Sequence, residues 1–144
     1  CVDNCETDPV VVDIYKRIEK VTGVPTENSE SFQLLKYETD EFYLTHHDYI
    51  PNSHKKPGGP RILTVYMYLS DVEEGGETRF DWFDMVVKPK LGRVAIWPSV
   101  LDEDPMLKDG RTMHEAMPVI KGQKFGANAW LHLRNYTKAQ EMDC

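Results

Sequence analysis

The stretch Ile62-Leu63-Thr64-Val65-Tyr66-Met67-Tyr68-Leu69 decides the fold class of this chain. Leu63, Val65, Met67 and Leu69 alternate with Thr64, Tyr66 and Tyr68, the period-two pattern of a β-strand with one face in a core. Shorter strand-like runs surround it. Phe32 to Tyr37 and Glu41 to His46 are aromatic-rich and separated by Thr39-Asp40, a tight reversal. Further strands are predicted at Glu77 to Phe80, Met85 to Val87, Arg93 to Trp97, His114 to Ile120 and Phe125 to Leu133, with turns at Gly75-Gly76, Pro89-Lys90 and Lys121-Gly122. Pro98 to Arg111, rich in Asp, Glu and Pro, reads as a surface loop. Before all of these comes one helix from about Pro9 to Val21, with Asp8 as N-cap, Pro9 in the first turn, Gly23 as the stop, and Val11, Ile14, Ile18 and Val21 on one face. A leading helix followed by many short strands predicts a mainly β protein, a sandwich or barrel with a flanking N-terminal helix.

Composition sets the outer bounds. A chain of 144 residues with 40% hydrophobic and 10% aromatic residues can bury a real core as one domain. The net charge of −7 argues against nucleic acid as a partner, because phosphate binding needs a concentrated basic face. One local positive cluster, His54-Lys55-Lys56 with Arg61, reads either as a solvated loop or as part of a substrate rim. No stretch is apolar and long enough to insert in a membrane. The first residue is Cys rather than Met, so the chain is expected to be a segment of something longer, folding as one domain over residues 1–144. Cys1, Cys5 and Cys144 lie at the extremities, where one pair could staple the ends in an oxidising compartment. Their pairing is not readable, and C-x3-C without a second pair is a poor zinc site.

The chemistry sits in His46-His47-Asp48 and in His114. On a strand, residues i and i+2 share a side, so His46 and Asp48 can reach one ion while His47 faces away. Two imidazoles and one carboxylate on one face of a metal, with the opposite positions open, form the donor set of non-haem Fe(II) oxygenases. Such an iron needs an oxidisable co-substrate. If that is 2-oxoglutarate, its far carboxylate requires a buried cation or hydroxyl partners, and Lys124, ten residues after His114, is the candidate.

Four ordered strings carry a family resemblance: YETDEFYLTHHD (37–48), PRILTVYMYLSDVEEGGETRF (60–80), TMHEAMPV (112–119) and GQKFGANAWLH (122–132). They closely resemble prolyl 4-hydroxylase catalytic domains, of the 2-oxoglutarate and Fe(II)-dependent dioxygenases. The resemblance implies a double-stranded β-helix, or jelly roll. It also implies His46, Asp48 and His114 as iron ligands, Lys124 paired with the 5-carboxylate of 2-oxoglutarate, and Tyr37 and Thr78 helping to hold that carboxylate. Trp130 matches an aromatic beside the pocket, and Arg61 and His132 match positions at the peptide substrate. The implied reaction is hydroxylation of C4 of prolyl residues in proline-rich or collagen-like peptides, with 2-oxoglutarate converted to succinate and CO2. Ascorbate is implied as reductant, and the secretory pathway, in particular the endoplasmic reticulum lumen, as location.

Each of these positions also has a bland reading. Tyr37 and Trp130 fit as core aromatics, Thr78 as a turn residue, and His132 as the polar face of a strand. Arg61 fits as a strand start beside Asp71 or Glu73. Two departures from the family pattern, Asp81 after the Phe of the Gly-Gly turn and Ala129 before Trp130, bear on substrate detail. The alternatives are the same chemistry on another residue such as lysine, or a catalytically silent jelly-roll module that binds peptides. Oligomeric state and physiological substrate are not legible.

Overall fold

In the computed structural model, which describes residues 5–142, Asp8 caps helix α1 (Pro9–Thr22) by accepting from the Val10 N–H at 2.8 Å. Gly23 ends the helix with φ of 72°, a conformation that suits a residue without Cβ. Val11, Ile14, Tyr15 and Ile18 pack against Phe32, Val65, Ala129 and Leu131. Val21, assigned to this face from sequence, is instead exposed. At about 100° per residue the buried stripe centres on Val11, Tyr15 and Ile18, and Val21 falls at its margin in the last turn.

Ten strands follow: β1 (Gln33–Tyr37), β2 (Tyr43–His46), β3 (Arg61–Tyr68), β4 (Glu74–Gly75), β5 (Thr78–Phe80), β6 (Met85–Val87), β7 (Val94–Pro98), β8 (His114–Ala116), β9 (Val119–Lys121) and β10 (Lys124–His132). A short helix α2 (Tyr136–Met142) closes the described chain. Two four-stranded antiparallel sheets form, a major one in the order β1-β10-β3-β7 and a minor one in the order β2-β8-β5-β6, with β4 and β9 as a separate pair. Two facing four-stranded sheets of this order make a jelly roll.

The sequence reading gave β3 one core face, whereas both of its faces are covered. Leu63, Val65 and Met67 pack on the side of α1, while Thr64, Tyr66 and Tyr68 are buried on the side facing the other sheet. The less apolar face of the alternation is therefore the inside of the sandwich, where Thr64 and Tyr68 find polar partners. Leu69 lies beyond the strand end and is exposed.

The single strand expected over His114 to Ile120 is two strands in different sheets. Pro118 has no N–H to give to a ladder, and there the chain leaves the minor sheet for the β4–β9 pair. The stretch from Pro98 to Arg111 is a loop, but Ser99, Val100 and Asp109 are buried in it and Val100 bridges Lys108. Among the described residues no helix is long and apolar enough to cross a membrane. Cys5 is disulfide-bonded; the pairing question posed for Cys1 and Cys144 lies outside the described residues.

Candidate functional site

The last residue of β2 and the first of β8 stand opposite each other in the minor sheet, so the His46 and His114 rings meet with centroids 4.3 Å apart. In each ring Nδ1–H donates to a backbone carbonyl, of Leu44 at 2.7 Å for His46 and of Thr112 at 3.0 Å for His114. This fixes the tautomer and leaves Nε2 as the free lone pair on both. Asp48, buried just past β2, presents Oδ1 4.0 Å from His46 Nε2 and Oδ2 3.7 Å from His114 Nε2. One donor atom from each residue lies within 4.8 Å of the others, close enough for a single ion to touch all three.

Further side chains hold the carboxylate and the second imidazole. Thr64 Oγ1 donates to Asp48 Oδ2 at 2.6 Å and Trp97 Nε1 donates to the same oxygen at 3.2 Å. The Trp97 and Phe80 rings pack on His114, with centroids at 4.7 and 5.5 Å. Burial holds the His114 imidazole below its usual titration range, hence neutral, as a metal ligand must be. His47 points elsewhere: its Nε2 bonds the Asp109 carbonyl at 2.7 Å and its Nδ1 accepts from the Tyr49 N–H at 2.8 Å, tying the following loop to the loop before β8.

Lys124 opens β10 directly opposite Tyr37 of β1 and is 1% exposed. Its Nζ sits 5.2, 5.4 and 5.7 Å from the ring centroids of Tyr37, Tyr66 and Tyr68. Burial lowers its pKa to about 8, with Glu77 as a partial counterweight. A lysine caged by aromatic faces without a bonded carboxylate is a site short of an anion. Thr78 is buried beside it and accepts from Tyr68 Oη at 2.7 Å, which leaves the threonine hydroxyl proton free to point elsewhere. A cavity of about 300 Å³ joins Lys124, Tyr37 and Thr78 to His46, Asp48 and His114.

Trp130, Arg61 and Asn128 border the same cavity toward the other end of β10. The Arg61 guanidinium lies 3.7 Å from the Trp130 ring centroid and forms a two-bond ion pair with Glu30, the Nη2–Oε2 leg being 3.0 Å. His132 is buried with both nitrogens facing acceptors, Nδ1 at 2.8 Å from the Gly59 carbonyl and Nε2 at 2.8 Å from Glu30 Oε1. Burial works to raise the Glu30 carboxyl, but the bonds from His132 and Arg61 outweigh it and hold the group below the ordinary carboxylate range. Arg61 thus has neither Asp71 nor Glu73 as partner. The basic cluster divides: Arg61 belongs to the cavity wall, while His54, Lys55 and Lys56 are exposed.

Eight of the nine site candidates from the sequence border this cavity; His132 is buried behind it and lines a neighbouring cavity with Glu30, joined to the first through Arg61. Glu30, Thr64, Tyr68 and Trp97 escaped the sequence reading. The alternation of Thr64, Tyr66 and Tyr68 was the available signal for three inward positions, whereas nothing local marks Glu30, which reaches Arg61 and His132 only through the fold. The two departures fall outside the cavity. Asp81 is exposed and pairs with Arg79 at 2.8 Å, and Ala129 is buried against the α1 side of the major sheet.

Comparison with known proteins agrees with this geometry. The family described as the 2OG-Fe(II) oxygenase superfamily matches residues 32–132. Probable prolyl 4-hydroxylase 3 of Arabidopsis thaliana is 34% identical, over 90% of this chain and 51% of its own length. Prolyl 4-hydroxylase 1 of the same plant is 37% identical, over 85% of this chain and 48% of its length. The chain therefore spans about half the length of the curated relatives it matches. Among solved structures, the viral collagen prolyl hydroxylase vCPH from Paramecium Bursaria Chlorella virus-1, as its 2OG complex, superposes with a TM-score of 0.67 at 27% identity, covering 85% of this chain and 73% of that one. The resemblance to prolyl 4-hydroxylase catalytic domains holds across nearly the whole fold, and the chain belongs to the 2OG-Fe(II) oxygenase superfamily.

Proposed function

We propose that this chain is the catalytic part of a prolyl 4-hydroxylase, which hydroxylates C4 of prolyl residues in proline-rich or collagen-like peptides and converts 2-oxoglutarate to succinate and CO2. The observation that carries the reading is one cavity with two His and one Asp at one end and a buried, anion-deficient lysine at the other. Both imidazoles offer Nε2, and Asp48 keeps Oδ1 unbonded while Thr64 and Trp97 hold Oδ2, so the donor chemistry fits a divalent iron with open positions. When bound, iron and 2-oxoglutarate supply the oxygen activation, and the protein supplies geometry and exclusion of water.

Lys124 pairs with the distal carboxylate of the co-substrate, aided by the hydroxyls of Thr78 and Tyr37. Trp130 offers an aromatic face to a prolyl ring. Arg61, on the cavity wall, orients the peptide beside the metal, and Glu30 holds it in place by a two-bond ion pair that His132 Nε2 supports from the buried side. Peptides rich in proline arrive already extended, which lowers the ordering cost of binding. Ascorbate is the proposed reductant for iron oxidised in unproductive turnovers. The proposed location is the lumen of the endoplasmic reticulum, supported by the disulfide at Cys5, since such bonds persist in oxidising compartments.

The test is succinate release with the protein containing this chain, against polyproline, collagen-like and lysine-containing peptides, with mass-spectrometric location of the added oxygen. Hydroxyproline formation that disappears in His46→Ala is expected. Oxygen added to lysine but never to proline would overturn the substrate assignment, and peptide binding without any succinate would favour the silent module.

A further inference from the structure

Strand β10 sends Lys124, Asn128 and Trp130 into the cavity, with Gly126 at the inward position between the first two, where the Tyr66 ring lies instead of a side chain. Successive inward positions lie about 6.8 Å apart along a strand. Asn128 therefore stands one step from Trp130 and two steps from Lys124, at the end where the peptide is placed. Its register partner on β1 is Gln33, which borders the same cavity. The two carboxamides are joined by one hydrogen bond, Asn128 Nδ2 to Gln33 Oε1 at 3.1 Å. A carboxamide offers two N–H donors and one carbonyl oxygen with two lone pairs. One bond between the pair spends one donor and one lone pair, so whichever way the amides are turned, an N–H group and a carbonyl oxygen stay available side by side. Asn128 is half-buried and Gln33 exposed, so both can meet a ligand without the sheet opening.

We propose that the Gln33–Asn128 carboxamide pair reads one peptide unit of the substrate next to the reacting ring, donating to its C=O and accepting from its N–H. The proposal rests on the peptide-hydroxylase reading above and adds a specificity to it. A peptide unit whose nitrogen belongs to proline has no N–H, so half of this recognition is lost on polyproline. The pair therefore favours substrates in which a residue other than proline sits at one fixed place beside the target. Leaving a buried or half-buried amide acceptor without its donor is the physical basis of the discrimination.

The experiment uses the protein containing this chain and an alternating Ala-Pro peptide in which each alanine in turn is replaced by lactic acid, so that an ester replaces one N–H at a time. Binding is measured anaerobically with Mn(II) and 2-oxoglutarate by fluorescence anisotropy, and KM and kcat are measured aerobically with Fe(II). One ester position is expected to weaken wild-type binding about tenfold. Gln33→Ala and Asn128→Ala are expected to weaken the all-amide peptide by a similar factor, to show no further loss with that ester, and to leave kcat and the KM for 2-oxoglutarate within about twofold. Effects of ester and variant that simply multiply, or a wild type indifferent to every ester, would overturn the pair as reader while leaving the hydroxylase reading in place. A wild type that neither binds nor oxidises any prolyl peptide would overturn both.

Discussion

The two sheets of this jelly roll contribute unequally. The major sheet has strands of five, nine, eight and five residues, and α1 packs on its back. The minor sheet has strands of four, three, three and three residues, with a ladder between β2 and β8 that is interrupted by a register shift. Yet both imidazoles of the candidate metal site come from the minor sheet, and Lys124, Tyr37, Trp130 and Arg61 come from the major one. The long sheet is a frame that holds most of the co-substrate and peptide groups by its own ladders, Thr78 of β5 being the one supplied by the minor sheet. The short sheet carries groups that an ion would draw together, and its weak ladder gains most from that ion.

The largest expected effect breaks the short sheet. His114→Ala or Asp48→Ala should lower succinate formation by roughly 1000-fold or more and abolish stoichiometric iron binding measured by elemental analysis. Chelation of the metal from the wild type should raise amide hydrogen exchange in β2 and β8 while β3 and β10 stay protected. Equal protection of both sheets with and without metal would mean that the minor sheet stands without the ion, and the contrast drawn here would fail.

The second effect belongs to the long sheet and reads through pH. Lys124 titrates at about 8 in the folded chain, against about 10.4 in an unfolded one. Between these values the unfolded chain binds more protons, so this residue makes stability rise with pH across that window, and below about 8 the full cost of the buried charge is present. That cost is on the order of 3 kcal/mol. Lys124→Met should therefore raise the melting temperature of the co-substrate-free protein at pH 6 to 7, with the gain shrinking above pH 8. The same variant should raise the KM for 2-oxoglutarate by roughly 100-fold, and wild-type affinity should fall as pH climbs past 8, because the lone lysine then meets the carboxylate uncharged. Thermal melts across pH and equilibrium dialysis measure the two halves. A variant no more stable than wild type at pH 6 would show that the tyrosine rings already compensate the ammonium.

What could be read in advance follows the same division. Strand β3 announced itself because eight alternating residues leave little room for another periodicity, and the i, i+2 spacing of a strand selected His46 with Asp48 over His47 although β2 ends at His46 and Asp48 lies in the bend just beyond it. The break at Pro118 was legible in principle, since proline cannot serve a ladder, but a run of apolar residues on both sides masked it. Glu30 was not legible: it lies outside any strand, and its partners Arg61 and His132 are 31 and 102 residues away. The inside of the sandwich was harder to read than its back. Thr64, Tyr66 and Tyr68 look like a wet face by polarity, and only the presence of a second sheet turns them into the lining of a cavity.

The smallest effect tests the back of the frame. Ile18 is 8% exposed and packs against Val65, Ala129 and Leu131, whereas Val21, one turn later, is 71% exposed. Both are β-branched apolar residues on one short helix, so helix propensity changes similarly when either becomes alanine, and the difference between them reports burial alone. Ile18→Ala should cost about 2 to 4 kcal/mol in urea unfolding, within the range for truncating a buried isoleucine. Val21→Ala should change stability by less than about 0.5 kcal/mol. Because α1 packs on the back of the major sheet, away from the candidate metal ligands, Ile18→Ala should also leave iron binding intact in the fraction that remains folded. If the two variants were equally destabilising, the helix would be registered differently on the sheet, with Val21 turned inward, and the long sheet would lose its standing as the independent half of the fold.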